Sequence, residues 1–498
     1  MGIIQRQGIR NSIITYIGIA LGAVSLLFIQ PRFLSKEEIG LTRVLFAFST
    51  LLATLMPLGM NAAVIRYFPY FRNREKNHFG FFGFMLILPA IGYILLSALL
   101  WAEKDFIISK YVAQSKLFTD YFLYIFPLSF FLTFNNMLTC YSYSIFRTSV
   151  PVLINDVLVR IGAILLFTIY FIKWVTLPQF VALFVAIYGT QLLVMIIYLF
   201  IEDRPSLKID WPEINKNQPR KIFRYGLLMG LSGLSALGLK YLDTVMLGMY
   251  KPQQTGLNAL DVIGIYSIAA FVAAFVEAPL NAIEKIITPK MAEGWAKNDL
   301  NDIRHIYYNS ARYLFLMGGL LFVLINVNID SLFALIPDKD FSLGKNVVLI
   351  ISTGTLLNMA TGNNDSILYT SGKYFHLTWL LLGLLFLAYT NYIVFIPLFG
   401  MEGAAVATAL SSTVFNFAKF FLIWRFFKLM PFRLYTVKIA LVIVISFVAG
   451  YFLPVPENPF VAVFIRSSMV GALFAISTYF LNIIPEFHYL IPGKKKDA

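Results

Sequence analysis

The sequence predicts an all-α membrane protein of fourteen transmembrane helices. They form two parallel six-helix bundles, with two extra helices at the C-terminal end. Three observations predict this. The 498 residues are 59% hydrophobic and only 13% charged, whereas soluble domains carry about a quarter charged residues. The apolar residues fall into fourteen runs of the length, about 20 residues, that an α-helix needs to cross a bilayer. One stretch also occurs twice. Asn136–Ser149, NMLTCYSYSIFRTS, aligns without a gap on Asn358–Ser371, NMATGNNDSILYTS, at an offset of 222 residues. Seven of the fourteen positions are identical, including Asn136/Asn358, Thr139/Thr361 and Ser144/Ser366. We read the repeat as the trace of a duplicated unit.

The apolar runs are 11–30, 44–65, 79–101, 119–140, 150–171, 178–201, 225–249, 262–283, 310–328, 344–365, 374–396, 402–424, 436–453 and 460–484. The first has a counterpart in the second half and is read as a helix, not a signal peptide. With the N-terminus inside, Lys and Arg at cytoplasmic helix ends outnumber those at outer ends by more than two to one. The positive-inside rule therefore puts both termini in the cytoplasm. Trp101 and Trp174 fall at outer helix ends and Trp424 at an inner one, the levels of the aromatic belts.

The longest polar break, 202–224, holds Pro205, Pro212 and Pro219. It divides the chain into an N-terminal bundle, 1–201, a cytoplasmic linker, 202–224, a C-terminal bundle, 225–424, and a final segment, 425–498. That last segment carries the two added helices and a basic tail. Six helices per half is even, so the halves are parallel repeats. A second echo agrees. The second helix of each half opens on an acid followed by Ile-Gly, as Glu38-Ile39-Gly40-Leu41 and Asp261-Val262-Ile263-Gly264-Ile265. Each closes near Pro-Leu, at Pro57-Leu58 and Pro279-Leu280.

The net charge of +14 would suggest nucleic acid in a soluble protein. Here it follows the loop topology, and no nucleic-acid partner is expected. A single Cys140 excludes an internal disulfide and a cysteine metal site. The four histidines are scattered, and no nucleotide-binding or hydrolase motif occurs. Neither a metal nor a cofactor is expected. The outer loops are too short for a glycan-processing domain.

Charges inside a span are costly and usually face a cavity or a partner. Asp156 and Arg160 stand at i,i+4 on helix five, and Lys240 and Asp243 at i,i+3 on helix seven. The plain reading is pairing within a helix or snorkelling to the interface. That reading is taken for Arg466, Glu277 and Arg43. Arg160, Lys240 and Lys419 are read instead as facing a water-filled cavity, since Arg and Lys suit an anionic substrate. Asp156 and Asp243 are the candidates for ion coupling or ion pairing. Asn136, Asn358, Asn363 and Asp365 are candidates for a polar cavity, although buried amides also simply knit helices together.

Four stretches carry a resemblance: Tyr241-Leu242-Asp243-Thr244-Val245-Met246-Leu247-Gly248, Ile263-Gly264-Ile265-Tyr266-Ser267-Ile268-Ala269, Asn358-Met359-Ala360-Thr361-Gly362-Asn363 and Gly403-Ala404-Ala405-Val406-Ala407-Thr408. With the six-plus-six-plus-two helix plan, the chain resembles the multidrug/oligosaccharidyl-lipid/polysaccharide exporter superfamily. Within it, the chain looks like the bacterial O-antigen and polysaccharide flippases. The resemblance implies a MATE-like fold of two bundles that open alternately inward and outward. It implies a non-enzymatic flippase in the bacterial inner membrane. The cargo would be an undecaprenyl-pyrophosphate-linked oligosaccharide of lipopolysaccharide or another surface polysaccharide, its pyrophosphate held by Arg160, Lys240 and Lys419. Membrane lipids and glycan polymerase or assembly proteins are the other expected partners. The rival is a drug/cation antiporter of the same fold. Helix one lacks the carboxylate such antiporters commonly use in the first half. A membrane glycosyltransferase, a glycan polymerase or a non-transporting scaffold fits less well.

Overall fold

The computed structural model describes residues 3–112, 115–216, 219–253, 256–371, 374–453 and 456–483. Among the described residues the regular structure is helical. Twelve helices are long and apolar enough to cross a membrane, thirteen when the bent pair Pro219–Ser235 and Leu237–Leu247 is taken as one span. The protein is thus a multi-pass membrane protein. In order the helices are α1 Arg10–Phe33, α2 Lys36–Leu55, α3 Asn77–Ala102, α4 Lys116–Ser144, α5 Ser149–Phe171, α6 Leu177–Glu202, α7 Pro219–Leu247, α8 Ala259–Leu280, α9 Leu300–Val327 and α10 Lys339–Ala360. The 52-residue stretch His376–Phe427 is two helices, α11 (376–399) and α12 (401–427), parted at Gly400. Unbroken, it would run roughly 80 Å, more than twice the hydrocarbon thickness. Gly400 has φ 57° and ψ −129°, backbone that a side chain resists. Two helices follow, α13 Leu434–Tyr451 and α14 Pro459–Phe480. The basic end of the tail, 484–498, lies outside the described residues.

The chain forms two compact units, Met1–Ser267 and Ile268–Ala498. The first contains α1 to α7 and the opening of α8, so the expected linker 202–224 lies within it. Helix starts follow local chemistry. Ser35 and Glu38 close a capping box on α2: the Glu38 N–H donates to Ser35 Oγ at 3.2 Å, and the Ser35 N–H to Glu38 Oε2 at 2.8 Å. Thr176 and Gln179 do the same for α6, which begins on Pro178 within its first turn.

The echoed Ile-Gly pairs mark where α2 and α8 cross. A Cβ on Gly40 would lie 1.9 Å from the Leu260 carbonyl oxygen, and one on Gly264 would lie 2.1 Å from that of Lys36. Each glycine meets the residue four before the other. The contact is therefore reciprocal, as a two-fold relation between two copies of one motif would make it. Small residues are what let membrane helices approach this closely.

At the C-terminal end of α6, Asp203 ties α3, α4 and α6 together. Its side chain is 1% exposed. It accepts a hydrogen bond from the Tyr141 hydroxyl at 2.6 Å and faces His78 Nε2 at 3.4 Å. The Asn73 N–H donates to His78 Nδ1, which leaves Nε2 to carry the proton toward Asp203. Burial raises the Asp203 pKa, but His78, Tyr141 and Arg74 together hold it below the ordinary value.

In the second unit, Leu314 and Val323 of α9 pack in one core with Ile439 and Val442 of α13 and with Val470 and Phe474 of α14. The two added helices thus complete a core and do not merely flank one. Arg466 shows how. It is 5% exposed, and donates from Nη1 to the Val327 carbonyl at 3.1 Å and from Nη2 to the Leu453 carbonyl at 2.7 Å. Those carbonyls belong to the C-terminal ends of α9 and α13, where a cation also meets the favourable end of the helix dipole. Neither an intrahelical pair nor snorkelling describes it.

The crossing at Gly40 and Gly264 is testable. Gly40→Ala or Gly264→Ala forces a backbone shift, and each should cost about 1–3 kcal/mol by overpacking. The expected readout is a lower melting temperature of the detergent-purified protein. Gly383→Ala, where nothing lies within 4 Å of the new Cβ, should be far milder.

Candidate functional site

The first unit holds a polar core. Both α1 and α5 contain a π-helical stretch, Ser25–Ile29 and Ile154–Leu158. Such widened turns recur at functional sites. Beside the second, α1 presents glycine backbone. A Cβ on Gly18 would lie 2.7 Å from the Asp156 carbonyl oxygen, and one on Gly22 would lie 3.2 Å from Arg160 Nη1. Asp156 accepts from the Thr15 hydroxyl at 3.1 Å and makes no ion pair with Arg160 among the described residues. Arg160 Nη1 is shielded from solvent and has no hydrogen-bond partner there.

A second arginine is held nearby on α2. Arg43 Nη2 donates to Gln30 Oε1 at 3.0 Å, and Gln30 Nε2 in turn donates to Ser25 Oγ at 3.3 Å. Arg43 Nε is buried without a partner among the described residues. The ring of Tyr188 on α6 lies 5.6 Å from that of Phe46 on α2. Tyr241 of α7 flanks Phe46 on another side, at 5.9 Å. An amide ladder joins α4, α5 and α6. Asn155 Oδ1 accepts from Asn135 Nδ2 at 3.0 Å and from Gln191 Nε2 at 2.7 Å, while Asn155 Nδ2 donates to Thr139 Oγ1 at 3.3 Å. The side-chain oxygens of Asn135 and Gln191 remain buried without donors.

Buried polar atoms are nearly always hydrogen-bonded, so each exception asks for a reason. Two guanidinium groups with unused N–H donors, walled by tyrosine rings and bare glycine backbone, are suited to an oxyanion. A hydrogen bond to a charged group contributes about 1.5–3 kcal/mol.

The second unit resolves its buried lysine differently. Lys419 of α12, 3% exposed, donates to both Asp365 oxygens at 3.0 and 2.8 Å. Asp365 lies on the short helix Asn364–Thr370, which Asn363 caps by accepting from the Ser366 N–H at 3.1 Å. The Tyr307 hydroxyl of α9 donates to Asn364 Oδ1 at 2.6 Å. Glu284, beyond the end of α8, adds a second acid. Burial and the neighbouring Asp365 charge raise its pKa, against the pull of Lys419.

The site residues expected from sequence divide between these places. Arg160 and Asp156 lie in the first polar core; Lys419, Asp365 and Asn363 form the second cluster. Lys240 is exposed, its Nζ 5.6 Å from the Tyr241 ring centre. Asp243 turns the other way and is buried. It accepts from the Tyr266 hydroxyl at 2.7 Å and from the Thr244 N–H at 2.6 Å, with no ion pair to Lys240 among the described residues. Asn136 is exposed and Asn358 half-buried. Their repeat partners carry the shared burial: Met137/Met359, Thr139/Thr361, Ser144/Ser366 and Ser149/Ser371 are buried in both copies. The first copy stays helical to Ser144, whereas the second breaks at Gly362, φ 76°. Cys140 occupies the equivalent position in the first copy. Sequence reasoning missed Arg43, Gln30, Asn135, Asn155 and Gln191. A run of amide residues on α4, α5 and α6 was the available signal.

The Lys419–Asp365 pair yields a double-mutant test. Asp365→Asn strands a buried ammonium and should lower the melting temperature clearly. Lys419→Met with Asp365→Asn should recover most of the loss. The coupling energy is expected at about 1–3 kcal/mol, moderated by the half-open carboxylate.

Comparison with known proteins agrees with this fold. No curated protein matches the chain. Solved structures do. The lipid II flippase MurJ in an inward closed conformation is similar at TM-score 0.74 and 15% identity, covering 95% of this chain and 98% of that one. An inward-facing multidrug resistance MATE family transporter of the MOP superfamily gives 0.62 at 15% identity, over 83% and 94%. A MOP superfamily transporter from Pyrococcus furiosus gives 0.56 at 15%, over 84% and 95%. The fold is that of the exporter superfamily which the four sequence stretches resemble. Residues 6–295 match the model of the family described as polysaccharide biosynthesis protein; the match covers more than half of the chain, which therefore belongs to that family.

Proposed function

We propose that the protein is a flippase for a lipid-linked glycan, carrying an undecaprenyl-pyrophosphate oligosaccharide across the bacterial inner membrane by alternating access. The family and the fold indicate a transporter and not an enzyme. The observation that carries the reading is the pair Arg43 and Arg160, half-buried, each with a solvent-shielded guanidinium nitrogen left unused in the polar core of the first unit. A pyrophosphate supplies oxygens of the geometry guanidinium forks prefer. Fourteen spans, both termini in the cytoplasm and an O-antigen or related surface repeat unit as cargo belong to the same proposal. So does a role for Lys419 or Lys240 at another stage of the cycle, when Asp365 or solvent no longer satisfies it.

A drug/cation antiporter of the same fold is the second reading. Asp243 favours it, being a buried carboxylate held by neutral donors and therefore free to take up a proton or cation. In the flippase reading Asp243 is the candidate for coupling, and Asp156, half-buried where Asp243 is buried, is a weaker one.

The test is leaflet tracking of lipid-linked sugar in cells depleted of the protein and complemented with variants. Arg43→Gln and Arg160→Gln should each cut flipping roughly 10–100-fold, the loss of one charged hydrogen bond, at unchanged protein level. Arg160→Lys should fall in between. Asp243→Asn should flatten the dependence of flipping on the proton or sodium gradient. Normal flipping in both arginine variants overturns the reading, and unchanged gradient dependence removes Asp243 from coupling.

A further inference from the structure

A cavity of about 470 Å³ opens in the second unit at the C-terminal ends of α9 and α13. Asn326, Asp330, Lys345, Asn346, Tyr451 and Arg466 line it. The volume is that of a small-molecule site. On the inside-positive topology this is the outer end of the unit, away from where the cargo is loaded.

The floor of the cavity is built from buried polar groups with capacity to spare. Asn326 is 8% exposed, and its Nδ2 donates to the Phe322 carbonyl at 2.8 Å and to Ser352 Oγ at 3.1 Å. Its side-chain oxygen accepts nothing among the described residues. Arg466, also on the floor, spends both terminal nitrogens on helix-end carbonyls, and its Nε is buried without a partner. On the wall, Asn346 Nδ2 donates to Glu402 Oε1 at 2.7 Å, fixing the amide and leaving its oxygen available. At the rim, Asp330 and Lys345 form an ion pair at 2.5 Å, and Tyr451 is 69% exposed.

Both signs of charge, amide acceptors, one unused donor and an open aromatic ring are the chemistry of a polyol ligand. A sugar ring offers alternating donor and acceptor hydroxyls to the floor and rim, and an apolar C–H face to Tyr451. A phosphate fits less well, because Asp330 already neutralises Lys345 and would oppose a second anion. We propose that this cavity is a saccharide subsite, which holds a sugar of the exported glycan once it has reached the outer side. The proposal rests on the flippase reading for the origin of that sugar, although binding itself is measurable without lipid.

The full-length protein in detergent is titrated calorimetrically with the water-soluble repeat oligosaccharide that mild acid releases from the host's own surface polysaccharide. Inorganic phosphate serves as competitor. Saturable binding is expected. Tyr451→Ala and Asp330→Asn, both at the open rim and so expected to leave the melting temperature unchanged, should each weaken it about tenfold. Arg43→Gln, in the first unit, should leave it unchanged. Absence of binding, undiminished wild-type affinity in both rim variants, or competition by phosphate overturns the subsite. Flipping with no oligosaccharide binding overturns the subsite alone. Binding without flipping in cells overturns the flippase reading and leaves a saccharide site.

Discussion

A cation held inside an apolar fold must be met by a counter-charge, by backbone carbonyls or by a ligand, because leaving it unmet costs several kcal/mol. Four buried or half-buried cations of this protein take different solutions. Lys419 takes a carboxylate, Asp365, gripped by both oxygens. Arg466 takes the carbonyl ends of two helices and so fastens α13 and α14 into the core of the second unit. Arg43 and Arg160 are left with donors unspent. The first two meet the charge without a ligand and hold the fold, although Arg466 keeps its Nε unspent. The third leaves Arg160 Nη1 and Arg43 Nε unmet, and these are the residues proposed to work in the protein.

The incompleteness at Arg160 has a local cause. Asp156 and Arg160 stand four apart, a spacing that puts two side chains on one face of an α-helix. Asp156 lies within the π-helical stretch Ile154–Leu158, where the turn is wider. The carboxylate is carried toward α1, where Thr15 meets it, and Arg160 projects against the bare backbone of Gly18 and Gly22. An unbroken α-helix would have favoured the pair and quenched the cation.

Much of the fold was legible in the sequence. Spans of about 20 apolar residues impose themselves whatever lies between them, and the Ile-Gly echo pointed to the reciprocal crossing at Gly40 and Gly264. The duplicated Asn136/Asn358 stretch was read as the trace of a repeat. Its most prominent shared residues, however, were the asparagines, whereas the buried Met137/Met359 and Ser144/Ser366 make the common contacts. The candidate site was less legible. Arg43 sits only seven residues into α2 and was read as snorkelling, but Gln30 and the π turn at Ser25 draw it into the core. Lys240 and Asp243 share a spacing that suggests pairing, and α7 instead turns them to different surroundings, one open and one against Tyr266. Spacing reports which residues share a face; only packing decides whether that face is wet.

A flippase must bind its cargo's charge tightly enough to draw it from one leaflet and loosely enough to release it at the other. Unspent donors serve binding, but a site completed permanently by its ligand would hold the cargo in place. A saccharide subsite at the outer end of the second unit answers this differently. It engages the neutral part of the cargo through hydroxyls and a ring face, interactions each worth little against water. Such a site competes for the glycan without adding to the grip on the pyrophosphate. Charge recognition in the first unit and polyol recognition in the second would then be separate contributions to one passage, each measurable with the other disabled.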